Sequence, residues 1–177
     1  MLSYNVAELL RSTPGTTEMI AVAESGSAIA DDLKLVQPLL GELRLQHSGR
    51  SVIVRGRLDT VLAEHCSRCL RPAVAPVRIF INEEALPSVD LDSGAQLDAS
   101  EEPDVMRLDD HHELDLAPAI RDAISLAEPI ASLCRADCPG LCETCGVDLS
   151  DHVGHAHEDE GIDPRLAALS GIRDRLQ

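Results

Sequence analysis

The sequence predicts an α+β fold, an antiparallel β-meander or partial barrel with one or two short helices and a C-terminal Cys/His zinc-binding segment. Three observations predict it. Apolar and polar residues alternate with period two through 43–81, the mark of half-buried strands. Two short stretches further on carry apolar residues at helical spacing behind a capping signal. Six cysteines fall in two closely spaced groups, with histidines just behind the second.

Taken in order, Asn5 to Leu10 suits a short helical turn and Met19 to Ala23 a strand. From Gly41 the alternation is plain: Leu43 and Leu45 interleave with Arg44 and Gln46, and His47-Ser-Gly-Arg50 reads as a turn. Val52, Val54, Leu58 and Leu62 then share one parity, while Arg55, Arg57 and Asp59 take the other. A third strand carries Val77, Ile79 and Ile81 on one face, and Pro76 marks it as an edge or a bulge. Cys66-Ser-Arg-Cys69-Leu-Arg-Pro lies between these two strands, so the first cysteine pair belongs at a hairpin tip. Residues 83–113 hold few large apolar groups and much negative charge, and read as a mobile acidic loop. Asp115 then caps a helix with Leu116, Ile120, Ile124 and Ala127 on one stripe, ended by Pro129. Asp163-Pro164 opens a second short helix with Leu166, Leu169, Ile172 and Leu176. The expected division is a β-rich part over 1–82, the acidic loop over 83–113, and a helix, metal segment and final helix over 114–177.

Composition sets further bounds. The 177 residues hold 15 Lys+Arg against 31 Asp+Glu, a formal charge of −16. Tyr4 and Phe80 are the only aromatics, so the core must rest on Leu, Val, Ile and Ala. Aromatic base-stacking platforms for single-stranded nucleic acid are excluded on the same count. No apolar run approaches the roughly 20 residues that span a bilayer, and the start lacks the pattern of a signal peptide. A cytoplasmic, soluble protein is expected. The acidity is concentrated, with net −11 over 82–115 and −7 over 142–163, whereas 43–81 is net +5. That basic stretch contains Arg55 and Arg57 on the polar strand face and Arg68 and Arg71 at the cysteine turn. These four are candidate RNA phosphate contacts. A solvated strand face in a chain where 14 of 15 cations are Arg is the plain alternative.

The cysteines without a secretion signal point to metal ligation. Cys134, Cys138, Cys142 and Cys145 fall within twelve residues, followed by His152, His155 and His157. Zinc takes four such donors in a tetrahedron. One partition pairs Cys66 and Cys69 with Cys134 and Cys138, and Cys142 and Cys145 with His155 and His157. The other places Cys134, Cys138, Cys142 and Cys145 on one ion and leaves Cys66 and Cys69 free. His152 reads as a solvated loop residue, and His47, His65, His111 and His112 as surface groups. Two enzyme readings are weaker. His155-Ala-His157-Glu-Asp159 lacks the preceding buried strand and distant ligands of a metallo-hydrolase. Cys66-Ser-Arg-Cys69 lacks the helix N-terminus of a dithiol oxidoreductase.

The run Leu133-Cys134-x-x-Asp137-Cys138-x-Gly140-Leu141-Cys142-x-x-Cys145-Gly146-x-Asp148-Leu149, with Cys66-Ser-Arg-Cys69-Leu before it and Asp163-Pro164-Arg165-Leu166-x-x-Leu169 after it, resembles the YceD-like family. Its members are called large ribosomal RNA subunit accumulation proteins, and the resemblance spans about 40–170. Longer members usually close the second site with Cys-x-Cys, for which His155-x-His157 stands here. The resemblance implies a non-enzymatic role in 23S rRNA accumulation, with rRNA or a large-subunit assembly protein as partner and neither membrane nor small-molecule substrate. An adaptor without RNA affinity is the alternative.

Overall fold

The structure is a computed structural model, and it describes residues 2–26, 29, 32–98 and 105–157. The order of elements is β1 (Ser3–Asn5), α1 (Ala7–Arg11), β2 (Thr17–Glu24), β3 (Leu35–Ser48), β4 (Ser51–His65), β5 (Pro72–Leu86), β6 (Met106–Arg107), β7 (Glu113–Asp115) and α2 (Ala117–Ala127). Strands β2 to β5 form an antiparallel meander, and β6 adds two residues in parallel beside Ala85 and Leu86. The five-stranded sheet does not close into a barrel.

The alternation in the sequence is the alternation of burial. Leu43, Leu45, Val52, Val54, Leu58, Leu62, Val77, Ile79 and Ile81 all point to one side and are buried. Helices α1 and α2 cover that side through Leu9, Leu10, Ile120 and Ile124. A small ribbon of β1 and β7 joins the ends, with Leu2, Leu114 and Leu116 in the same core. Burying aliphatic surface at about 25 cal/mol per Å² drives this assembly, with the partly buried Tyr4 as its one aromatic contributor among the described residues. Strands β3 and β4 cross closely at Gly41 and Gly56. A Cβ on either would lie 2.2 Å from a carbonyl oxygen of the facing strand, Arg57 and Glu42 respectively. Only glycine permits that approach.

Several expectations shift in detail. Helix α2 starts at Ala117 and not at Leu116, because Asp115 Oδ1 accepts the Ala117 N–H at 3.0 Å and Leu116 is buried as the cap residue. Strand β5 continues through Glu83 and Glu84 to Leu86, four residues into the stretch that charge assigned to the acidic loop. The backbone of that stretch forms further structure where Val89 bridges Gln96 and where β6 pairs with β5. His47 is not a surface group. It is buried, with Nδ1 at 3.0 Å from the Ser12 carbonyl oxygen and Nε2 at 2.7 Å from that of Gly49, so it ties the N-terminal segment to the β3–β4 turn. The C-terminal helix expected from Asp163 lies outside the described residues. Among those described, no helix is long and apolar enough to cross a membrane.

Candidate metal centres

The β4–β5 hairpin ends in a turn built around Cys66 and Cys69. The Cys66 N–H donates to the Arg71 carbonyl at 2.8 Å and the Leu70 N–H to the Cys66 carbonyl at 2.9 Å. Leu70 adopts φ +61°, the left-handed conformation that glycine normally fills. Both cysteines are buried. The same pair of bonds recurs further along the chain. The Cys142 N–H donates to the Val147 carbonyl at 2.8 Å and the Gly146 N–H to the Cys142 carbonyl at 2.8 Å, with Gly146 at φ +72°. The two Cys-x-x-Cys segments are therefore one structural motif used twice.

In this turn, backbone N–H groups converge on the first sulfur. The amides of Cys134 and Cys69 lower the Cys66 thiol to about 6, and those of Cys145 and Thr144 lower the Cys142 thiol to about 6. Hydrogen bonds to the charged form favour thiolate, the state that ligates metal. Loss of solvation acts first on the opposite pair, pushing Cys134 up to about 12 and raising Cys138, in company with the neighbouring thiols.

The segment after α2 is stitched onto the hairpin tip. The Ser67 N–H donates to the Ser132 carbonyl at 2.8 Å, the Leu141 N–H to the Arg68 carbonyl at 3.2 Å, and Arg68 Nη1 to the Cys138 carbonyl at 2.8 Å. This brings Cys134 and Cys138 against the hairpin pair, with Sγ–Sγ distances of 3.6 Å for Cys69–Cys134 and 3.8 Å for Cys66–Cys138. A tetrahedron with bonds of about 2.3 Å to sulfur has edges of about 3.8 Å. The second group comprises Cys142, Cys145, His155 and His157, and within each group the ligand atoms lie within 4.8 Å of one another. Cys145 Sγ is 3.2 Å from His155 Nε2, which is 3.0 Å from His157 Nε2. A mixed tetrahedron asks for edges of about 3.3–3.6 Å, a few tenths more. All six cysteines are free thiols. Both donor sets fit a soft or borderline ion, and each supplies four ligands, the full complement of a closed site.

The geometry thus brings the cysteines and histidines together as the two-site partition has them, not as the single Cys134–Cys145 cluster. His152 stays outside, its Nδ1 3.1 Å from the Asp148 carbonyl oxygen. The Cys66 pair sits in a hairpin turn, not at a helix N-terminus. His155 and His157 share their group with two thiols, and Asp159 lies outside the described residues.

The four arginines divide. Arg55 and Arg57 lie on the exposed sheet face, where Arg55 Nε donates to Asn82 Oδ1 at 2.9 Å and Arg57 pairs with Asp59 at 3.5 Å. Arg68 and Arg71 instead hold the cysteine-bearing segment after α2. Arg71 pairs with Asp148 at 2.8 Å and also with Asp151, so it links the hairpin tip to the second group. Sequence reasoning missed this link, because nothing local relates Arg71 to carboxylates more than seventy residues away. It also missed Phe80 as a surface residue. The parity of Ile79 and Ile81 was the signal that pointed it outward.

A profile of the family described as large ribosomal RNA subunit accumulation protein YceD matches residues 54–173, from β4 through both donor groups. The chain belongs to the YceD family. This YceD chain is 38% identical over 129 residues to an uncharacterized protein of Mycobacterium tuberculosis, covering 72% of the chain and 58% of that relative. It is 34% identical over 136 residues to an uncharacterized protein of Mycobacterium leprae, covering 76% and 59%. The chloroplastic large ribosomal RNA subunit accumulation protein YCED homolog 1 of Arabidopsis thaliana is 31% identical over 68 residues, 37% of this chain and 20% of that protein. The chain spans somewhat over half the length of the mycobacterial relatives it matches. No solved structure matches it.

Proposed function

We propose that this YceD chain is a non-enzymatic, cytoplasmic ribosome-biogenesis factor that supports the synthesis, processing or stability of 23S rRNA. It acts by contact with rRNA or with a large-subunit assembly partner, and two zinc ions serve as its structural clamps. The observation that carries the reading is the pair of complete four-donor groups. A catalytic zinc keeps a position open for water, whereas four Cys/His donors saturate the ion and leave it inert. The chemistry left to such a molecule is recognition by its surface, and the family name supplies the object recognised.

The test is replacement of the chromosomal gene by variants, with the ratio of 23S to 16S rRNA as readout. Cys66→Ser is expected to lower that ratio as far as deletion does, because it opens the clamp between hairpin and tail. A deletion that leaves the ratio unchanged overturns the role. X-ray absorption showing a metal-bound water in the purified chain would restore the hydrolase reading. The adaptor alternative draws on one specific observation, the net −11 over 82–115. It requires that a basic large-subunit protein be retained by the full chain and lost when 83–113 is removed.

A further inference from the structure

Strand parity leaves the side of the sheet opposite α1 and α2 facing solvent. In its middle the register sets Met19, Arg44, Arg55 and Asn82 in one cross-strand row, and Arg57 opposite Phe80 in the next. Two features of this face work against stability. Phe80, the only phenylalanine of the chain, is 72% exposed between the buried Ile79 and Ile81. A large ring in water is a loss that burial elsewhere in the fold would have avoided. Arg44 and Arg55 stand directly opposite each other, both exposed, and like charges in that position repel. Neither has a carboxylate within ion-pair distance among the described residues. By contrast, Arg57 and Arg78 both pair with Asp59. A depression of about 180 Å³ lies over the pair, lined by Arg44, Gln46, Ile53 and Arg55.

Two guanidiniums without an ion-pair partner, beside an exposed ring and with Glu42 and Glu84 in the adjoining rows of the same face, call for a ligand with both anions and flat apolar faces. We infer that this outer face binds single-stranded RNA, with a base stacked on Phe80 and phosphates held by Arg44 and Arg55. Arg55 and Phe80 are diagonal neighbours across β4 and β5, a separation of about 7–8 Å at most, which matches the reach from a phosphate to its base. Duplex RNA keeps its bases stacked within the helix and offers none to the ring. Composition alone excludes stacking platforms, and the exposed Phe80 is the one exception, so the site holds a single stacked base. The inference rests on the reading that this protein touches rRNA itself.

The chain contains no tryptophan, so Phe80→Trp installs a single reporter at the proposed stacking position. In the full metal-loaded protein, its emission is expected to fall on addition of short oligoadenylate and to stay constant with inorganic polyphosphate. Phe80→Ala should weaken oligoadenylate binding by roughly 5- to 150-fold, the range set by loss of one base–aromatic stack. Arg44→Gln and Arg55→Gln should each flatten the log–log salt dependence by about 0.7, one single-strand phosphate contact apiece. Arg121→Gln, on α2 and paired with Asp32, should change nothing. Wild-type binding of 23S rRNA that survives Phe80→Ala undiminished overturns this site and leaves rRNA contact standing. Failure of the wild type to bind any RNA overturns both. A reporter that responds to a large-subunit protein and not to oligoadenylate assigns the face to protein instead, which also overturns the inference.

Discussion

The two Cys-x-x-Cys turns share one hydrogen-bond pattern and differ in what surrounds it. The first closes a long hairpin, is lined by Cys66, Cys69, Cys138 and Ala73 as a small buried cluster, and takes both its remaining thiols from beyond α2. Its four donors therefore come from segments 65 to 72 residues apart. The second takes all its donors from 142–157, and two of the four are exposed. One turn is a clamp across the fold and the other a clip within a loop. The backbone motif lowers the first thiol of the pair in each case. Where the other two donors come from decides what an ion bound there would do for the molecule.

The sharpest break of this comparison is ligand removal. A structural zinc site binds with an apparent free energy of about 10–16 kcal/mol, and where no site preexists in the unfolded chain that is folding energy. Cys66→Ser should lose one of two ions per chain, and lower the thermal midpoint of the sheet. Cys142→Ser should also lose one ion but leave the sheet transition nearly unmoved. Metal analysis with calorimetry checks both. Equal effects on the sheet from the two variants would mean the clip is as deeply coupled as the clamp. Loss of both ions from either variant would mean one cooperative site.

Next in size is the left-handed residue after each second cysteine. A left-handed conformation costs a residue with Cβ roughly 1–2 kcal/mol, a cost glycine escapes. Gly146 has open space where a Cβ would go, so Gly146→Ala tests the backbone alone. It should destabilise the second group by about 1 kcal/mol or more, seen as weaker metal retention against a chelator. Leu70→Gly is the mirror case. Strain relief of about 1 kcal/mol is opposed by a similar gain in unfolded-state entropy, so little net change is expected. A large loss on Leu70→Gly would show that the exposed leucine side chain itself holds the hairpin tip.

These contrasts were only partly legible in the sequence. Strands β3 to β5 could be read because one sheet face is buried and the other is not, which writes period two into residues 43–81. The donor partition was readable as one of two, since spacing pairs cysteines but does not say which pairs meet. It was the stitching by Ser67, Arg68 and Leu141 that brought Cys134 and Cys138 to the hairpin, and main-chain bonds such as those of Ser67 and Leu141 leave no signature in residue type. His47 was misjudged because a lone histidine beside a turn looks solvated until the Ser12 carbonyl, 35 residues away, is folded against it. The start of the acidic stretch was misjudged because the alternation breaks at Glu83, which takes the parity of Ile79 and Ile81 yet is exposed. Glu83 and Glu84 are exposed ends of a strand whose next residues, Ala85 and Leu86, are buried.

The smallest expected effect concerns Arg71, which joins clamp to clip. Its guanidinium reaches Asp148 and Asp151, while its carbonyl serves the first turn. Arg71→Gln keeps the carbonyl and removes only the charge. Exposed ion pairs contribute little to global stability, so the thermal midpoint of the sheet and the metal count should not change. What should change is local opening. The Leu149 amide, bonded to the Gly140 carbonyl at 3.0 Å, is held where the clip folds back on the segment that Arg71 anchors. Its hydrogen exchange should quicken in Arg71→Gln while amides in β4 keep their protection. High salt should produce the same selective quickening in the wild type, because screening weakens the same pair. If Leu149 exchange is unchanged by both, the two groups are independent units that happen to lie side by side, and the hairpin reaches the tail through its sulfurs and backbone alone.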